Sequence, residues 1–186
     1  CALVIMEPLR GGNLANPTAT VQSIYDDFPV KRSAIDWAFR HLIDYPQVST
    51  ILSGMTTLEQ LKENIEIFSQ PDALPGCLTA AEHDLLQQVK LAYESVGGVP
   101  CTGCDYCMPC PNGLNIPRTF SLYNDGVRFG DFELSKRSYW FTARMGIGLE
   151  ADKCTECGEC EKKCPQGIEI IKELKTAHQA LSGWVE

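Results

Sequence analysis

Two rhythms of apolar residues run through the first hundred positions. Residues 2–6 (Ala2 to Met6) form a short unbroken apolar run suited to a buried parallel strand, and Glu7-Pro8-Leu9-Arg10-Gly11-Gly12 ends it with loop chemistry. From Ser33, a plausible N-cap, Ile35, Ala38, Phe39, Leu42 and Ile43 recur at helical spacing until Tyr45-Pro46 stops them. Val48 to Leu52 is a second short buried-strand candidate, closed by Ser53-Gly54. Thr57 to Ser69 predicts a helix with Leu58, Leu61, Ile65 and Phe68 on one face. Thr79-Ala80-Ala81-Glu82 is a capping box that opens another helix, reaching about Ser95. Strand–helix–strand–helix order with short connections predicts an α/β layer with parallel strands.

At Gly97-Gly98-Val99-Pro100 the strand pattern ends, so the expected domains are 1–96 and 97–186. The second predicts helices near 117–125, 131–144 and 168–181, with Asn115 and Pro117 as cap and first-turn proline of the first. It also contains a repeat. Cys101-Thr-Gly-Cys-Asp-Tyr-Cys-Met-Pro-Cys-Pro-Asn-Gly-Leu-Asn-Ile116 parallels Cys154-Thr-Glu-Cys-Gly-Glu-Cys-Glu-Lys-Lys-Cys-Pro-Gln-Gly-Ile-Glu-Ile170, one residue shorter in the first copy.

Composition narrows the picture. The 186 residues are 44% hydrophobic and 22% charged, as in an ordinary globular chain, and the net charge of −8 argues against nucleic acid or an anionic membrane as the main partner. No apolar run approaches the roughly 20 residues of a membrane span, and no secretory signal precedes the start. The opening Cys1-Ala2-Leu3-Val4 reads as a strand cut from something longer. Of ten cysteines, Cys1 and Cys77 stand alone and eight fall in two bursts. Bursts at two-residue gaps point to metal–thiolate chemistry and a reducing compartment, by default the cytoplasm.

Three thiolates at i, i+3 and i+6 wrap three corners of one iron–sulfur cubane. Cys154-x2-Cys157-x2-Cys160-x3-Cys164-Pro165 is the bacterial two-cluster spacing, in which the fourth cysteine serves the other cluster. The expectation is two [4Fe–4S] clusters, one on Cys101, Cys104, Cys107 and Cys164 and the other on Cys154, Cys157, Cys160 and Cys110. Only two residues separate Cys107 from Cys110, which shortens the reach of Cys110 and leaves its ligation open. Zinc is the rival metal, but it needs only paired Cys-x2-Cys units and explains neither the third cysteine nor Cys-Pro. Disulfides are the third alternative. With 43 residues between Cys110 and Cys154, residues 97–186 resemble the α-helical ferredoxin family, which includes the cluster domains of fumarate reductase iron–sulfur subunits.

Val4-Ile5-Met6-Glu7-Pro8-Leu9-Arg10-Gly11-Gly12-Asn13-Leu14 resembles the seventh strand and loop of an aldo-keto reductase (β/α)8 barrel. Val48 to Met55 with Leu58-Glu59-Gln60-Leu61-Lys62-Glu63-Asn64 resembles the eighth strand and helix. The tandem resembles the ferredoxin-fused branch of that family. The resemblance implies an NAD(P)(H) site in the complete protein, with Pro8, Leu9, Gly11 and Gly12 near the pyrophosphate and Gly54, Met55, Gln60, Glu63 and Asn64 near the adenosine end. Many relatives carry Lys where Gly54 falls and Arg where Gln60 falls, so NADP versus NAD stays open. A plain turn is the alternative for Gly11-Gly12.

The family's catalytic Asp, Tyr, Lys and His lie on earlier strands, so no catalytic residue is expected here. His41, His83 and His178 read as structural or solvated, and Tyr106 and Tyr123 as packing within the cluster domain. The expected role is the C-terminal part of an aldo/keto reductase-like oxidoreductase with a two-cluster electron-transfer module. Its partners would be a redox protein or small substrate and the missing N-terminal barrel portion, with no nucleic acid or membrane. The alternatives are a non-enzymatic carrier whose α/β half is a docking scaffold, or clusters with a purely structural role.

Overall fold

The computed structural model describes residues 2–184; Cys1, read above as a lone cysteine ahead of the first strand, lies outside them. The chain divides into two compact units, Cys1–Ser95 and Val96–Glu186.

In the first unit β1 (Leu3–Ile5) pairs in parallel with β2 (Val48–Ile51), Val4 facing Thr50 and Ile5 facing Ile51. Parallel neighbours need a long crossover, here α1 (Ala19–Asp27) and α2 (Ala34–Ile43). α2, α3 (Leu58–Phe68) and α4 (Ala80–Glu94) begin where their caps predict: the hydroxyls of Ser33, Thr57 and Thr79 accept from the N–H three residues on, the last two within complete capping boxes. α1 is capped in the same way by Thr18 and buries Val21 and Tyr25.

The core of this unit is helical. Trp37 and Phe39 are fully buried, Tyr25 stacks on Trp37, and Phe68 meets Phe39 edge-on. Arg40, also buried, donates to both carboxylate oxygens of Asp72 and to Asp36, tying α2 to the segment after α3. Arg32 pairs with Glu82 and lies over the Trp37 ring.

The strands form and pair as expected, but they are not buried. Leu3 is 48%, Val4 58% and Met6 73% exposed, and Leu58, Leu61, Ile65 and Phe68 of α3 are exposed as well. Two strands offer too narrow a surface for helices to cover both faces, so their apolar side chains face solvent. The first unit is thus a mainly helical layer around one strand pair, not a barrel.

The second unit is built on α5 (Ile116–Phe129), α6 (Glu133–Arg144), the short α7 (Glu159–Lys163) and α8 (Ile170–Leu181). Asn115 caps α5 through the N–H of Arg118, with Pro117 in the first turn. α5, α6 and α8 pack around Leu114, Ile116, Phe120, Tyr139, Ile170, Leu174, Ala177 and Leu181. Cysteines of both bursts pack against this core. Tyr123 lies half-buried against Phe132, as its packing role requires, but Tyr106 is 65% exposed. Tyr106 lies in the turn between Cys104, itself exposed, and half-buried Cys107, and its ring stays in solvent.

Candidate iron–sulfur centres

The sequence repeat is also a backbone repeat. In each burst the third and fifth residues have positive φ: Gly103 and Asp105 in the first, Glu156 and Gly158 in the second. Each copy spends one glycine and one ordinary residue on these two left-handed positions, which alternate with the cysteines and turn the loop into a tight concave arc. Such arcs aim successive N–H groups inward, and the N–H of Glu156 donates to Cys154 Sγ at 3.4 Å. After the fourth cysteine both copies make the same turn, Gly113 N–H to Cys110 O and Gly167 N–H to Cys164 O. Both then enter a helix through a fully buried isoleucine, Ile116 or Ile170.

This shared turn sends each fourth cysteine away from its own burst. Cys101, Cys104, Cys107 and Cys164 line one hollow together with Ile116, Phe120 and Ile170. Cys110, Cys154, Cys157 and Cys160 line a second with Leu114, Ile116 and Leu174. Ile116 borders both, so the two hollows are neighbours. The short gap between Cys107 and Cys110 is compatible with this division. Asn112 Nδ2 donates to Thr155 Oγ1 at 2.6 Å, drawing the Cys110 turn against the start of the second burst.

Two side chains absent from the sequence reading hold the entries to the bursts. Asn124 on α5 accepts from Val99 N–H and donates to Val99 C=O, both at 2.8 Å, fixing the chain two residues before Cys101. Tyr139 on α6, 3% exposed, accepts from Ala151 N–H at 2.5 Å and pairs with His178 Nδ1 at 3.0 Å, fixing the turn before Cys154. Burial pushes the Tyr139 phenol up to about 12, so it is a neutral strut. Tyr139→Phe strands the buried Ala151 N–H and should cost this unit about 1–3 kcal/mol. The check is a urea midpoint on cluster-loaded protein, with iron content measured alongside.

Cys104 and Cys157 are exposed, whereas the other six thiols are half-buried against the apolar core. Burial pushes Cys107 up to about 11; a backbone hydrogen bond offsets part of this, and Cys101, Cys160 and Cys104 add to it. Cys160 is raised as well, again mainly by burial. Without metal these two sulfurs are neutral thiols at pH 7, so a positive centre is needed to hold them as thiolates. Soft sulfur donors, four to each apolar hollow, fit an iron–sulfur cubane.

The residues proposed for nucleotide contact fall in two loops. Pro8, Leu9, Gly11 and Gly12 follow β1, the last two at positive φ. Gly54 and Met55 follow β2, and Gln60, Glu63 and Asn64 lie on α3. Because β1 and β2 are parallel neighbours, both loops leave the same edge of the pair. Gln60 Oε1 accepts from the N–H groups of Thr56 and Thr57, Asn64 donates to Ser53, and Glu63 accepts from Ser33. Among the histidines, His83 pairs with Asp44 at 3.2 Å, and burial lowers the pKa of His41.

Residues 100–169 match the 4Fe–4S dicluster domain, so this part of the chain is a ferredoxin-like iron–sulfur domain of the electron-transfer class. No curated protein and no solved structure matches the chain. Among the described residues, no helix is long and apolar enough to cross a membrane.

Proposed function

We propose that the chain is the electron-transferring end of an aldo/keto reductase-like oxidoreductase, working in a reducing compartment such as the cytoplasm. Cys101, Cys104, Cys107 and Cys164 hold one [4Fe–4S] cluster, and Cys110, Cys154, Cys157 and Cys160 hold the other. The observation that carries this reading is the four-and-four division of the cysteines between two adjoining apolar hollows. When bound, each cluster would take up and release one electron. The chain's part is to supply the thiolates, to line their inner side with Ile116, Phe120, Ile170 and Leu174, and to hold the two sites side by side.

The α/β unit is proposed as the closing portion of a (β/α)8 barrel completed by strands from elsewhere. Support comes from the parallel pair with its helical crossover and from the apolar faces of β1 and α3 that further elements would cover. In that barrel Pro8 to Gly12 and the stretch from Gly54 to Asn64 would line an NAD(P)(H) site, at the strand ends where such folds bind ligands. The internal hydrogen bonds of Gln60 and Asn64 favour the alternative, in which this unit is a docking scaffold for a non-enzymatic carrier.

Iron, sulfide and zinc per chain, measured on anaerobic protein with EPR after dithionite, test the cluster reading. About eight iron and eight sulfide with interacting cubane signals are expected. Zinc without labile sulfide would sink it. Titration with NADPH and NADH separates the reductase from the scaffold.

A further inference from the structure

On a chain of net charge −8, one strip of the second unit is basic and aromatic. Arg137, Phe141 and Arg144 follow one another at i, i+4 and i+7 on one face of α6, and Arg118 joins them from α5. They line an open groove of about 840 Å³ together with Trp140 and Trp184. The two indoles lie 5.0 Å apart, and the Arg144 guanidinium sits 4.8 Å from the Trp140 ring centre. Among the described residues no carboxylate lines the groove. Among the described residues none of the three guanidiniums makes an ion pair, whereas lysines elsewhere on the second unit pair with glutamates.

The groove adjoins the cluster sites through the backbone. Arg118 lies two residues beyond Ile116, which borders both cysteine hollows. At the other end Ile147, which lines the groove, leads to Leu149, whose N–H bonds to Gly113 C=O in the turn after Cys110. Phe141, Met145, Ile147 and Leu149 are all exposed. Exposed aromatic and aliphatic groups rimmed by unpaired arginine are the composition of a protein-docking surface.

We propose that this groove is the docking site for an acidic electron-carrier protein that exchanges electrons with the clusters. The inference rests on the two-cluster reading above. Charge complementarity selects the partner: an acidic face is repelled by the net charge of this chain and attracted to the groove arginines, so it arrives oriented toward the clusters.

The test is stopped-flow reduction of the cluster-loaded full chain by a reduced acidic plant-type [2Fe–2S] ferredoxin. Arg137→Glu with Arg144→Glu should lower the second-order rate at least about tenfold at low salt and flatten its salt dependence. Arg137→Lys with Arg144→Lys should keep most of it, and the equal charge change Lys31→Glu with Lys90→Glu on the first unit should leave it unchanged. Iron content and direct reduction by dithionite should be the same in all. An unaltered rate in the double glutamate variant, or an equal loss in the Lys31/Lys90 control, overturns the proposal. So does saturable FMN binding that the glutamate variant abolishes while ferredoxin reduction is untouched, which would assign the groove to a small phosphorylated ligand. Calorimetric binding of the ferredoxin to the folded chain as isolated, with whatever metal it holds, reads docking without electron transfer, so it decides the groove even if the iron analysis fails the cluster reading.

Discussion

Replacing Cys164 by serine should remove the cluster of the other burst, not that of its sequence neighbours. Cys164 lines the hollow of Cys101, Cys104 and Cys107, while Cys154, Cys157 and Cys160 share theirs with Cys110. Serine offers a hard oxygen in place of a soft thiolate, so the site it belongs to loses a corner. Iron should fall from about eight to about four per chain. Pairing the substitutions makes the assignment decisive. Adding Cys101→Ser to Cys164→Ser removes two ligands of one site and should cost little further iron. Adding Cys157→Ser instead strikes both sites and should leave almost none. The opposite order would mean that each burst serves itself and that the crossing at Cys-Pro carries no ligand.

Stripping the iron should unfold the second unit and spare the first. The first unit has a core of its own around Trp37 and Phe39, with no cysteine of either burst in it. In the second, cysteines of both bursts pack directly on the core, and Ile116 belongs to that core and to both hollows. A domain is stable by only about 5–15 kcal/mol, and a four-thiolate structural metal site contributes on the order of 10 kcal/mol. Losing two such sites exceeds the margin. About half of the helical residues lie in each unit, so chelation under oxidation should remove roughly half of the far-UV helical signal. Hydrogen exchange should then show α5, α6 and α8 open and α2 and α4 still protected. If all helices persist and only the cysteine loops open, the clusters are peripheral to the fold and the purely structural role is excluded.

Local chemistry was legible in the chain itself. Ser33, Thr57, Thr79 and Asn115 start their helices because a side-chain oxygen within three residues satisfies an otherwise orphaned N–H, a contact that needs no tertiary partner. The same physics placed Thr18 before Val21 and Tyr25, yet that short helix sits between prolines and went unread. The spacing of the cysteines and the repeated Cys-Pro-x-Gly declared the metal chemistry, because a cubane imposes its own geometry on the loop that wraps it.

Only the tertiary structure decided whether Cys110 reaches the hollow of the second burst, since that depends on where α5 and α8 carry their preceding turns. Asn124 and Tyr139 were invisible for the same reason: each acts on a backbone group a dozen or more residues away. The apolar run of β1 predicts a buried strand and the spacing of α3 an apolar face, yet both stand open: periodicity reports which face is apolar, whereas burial depends on whether another element lies across it.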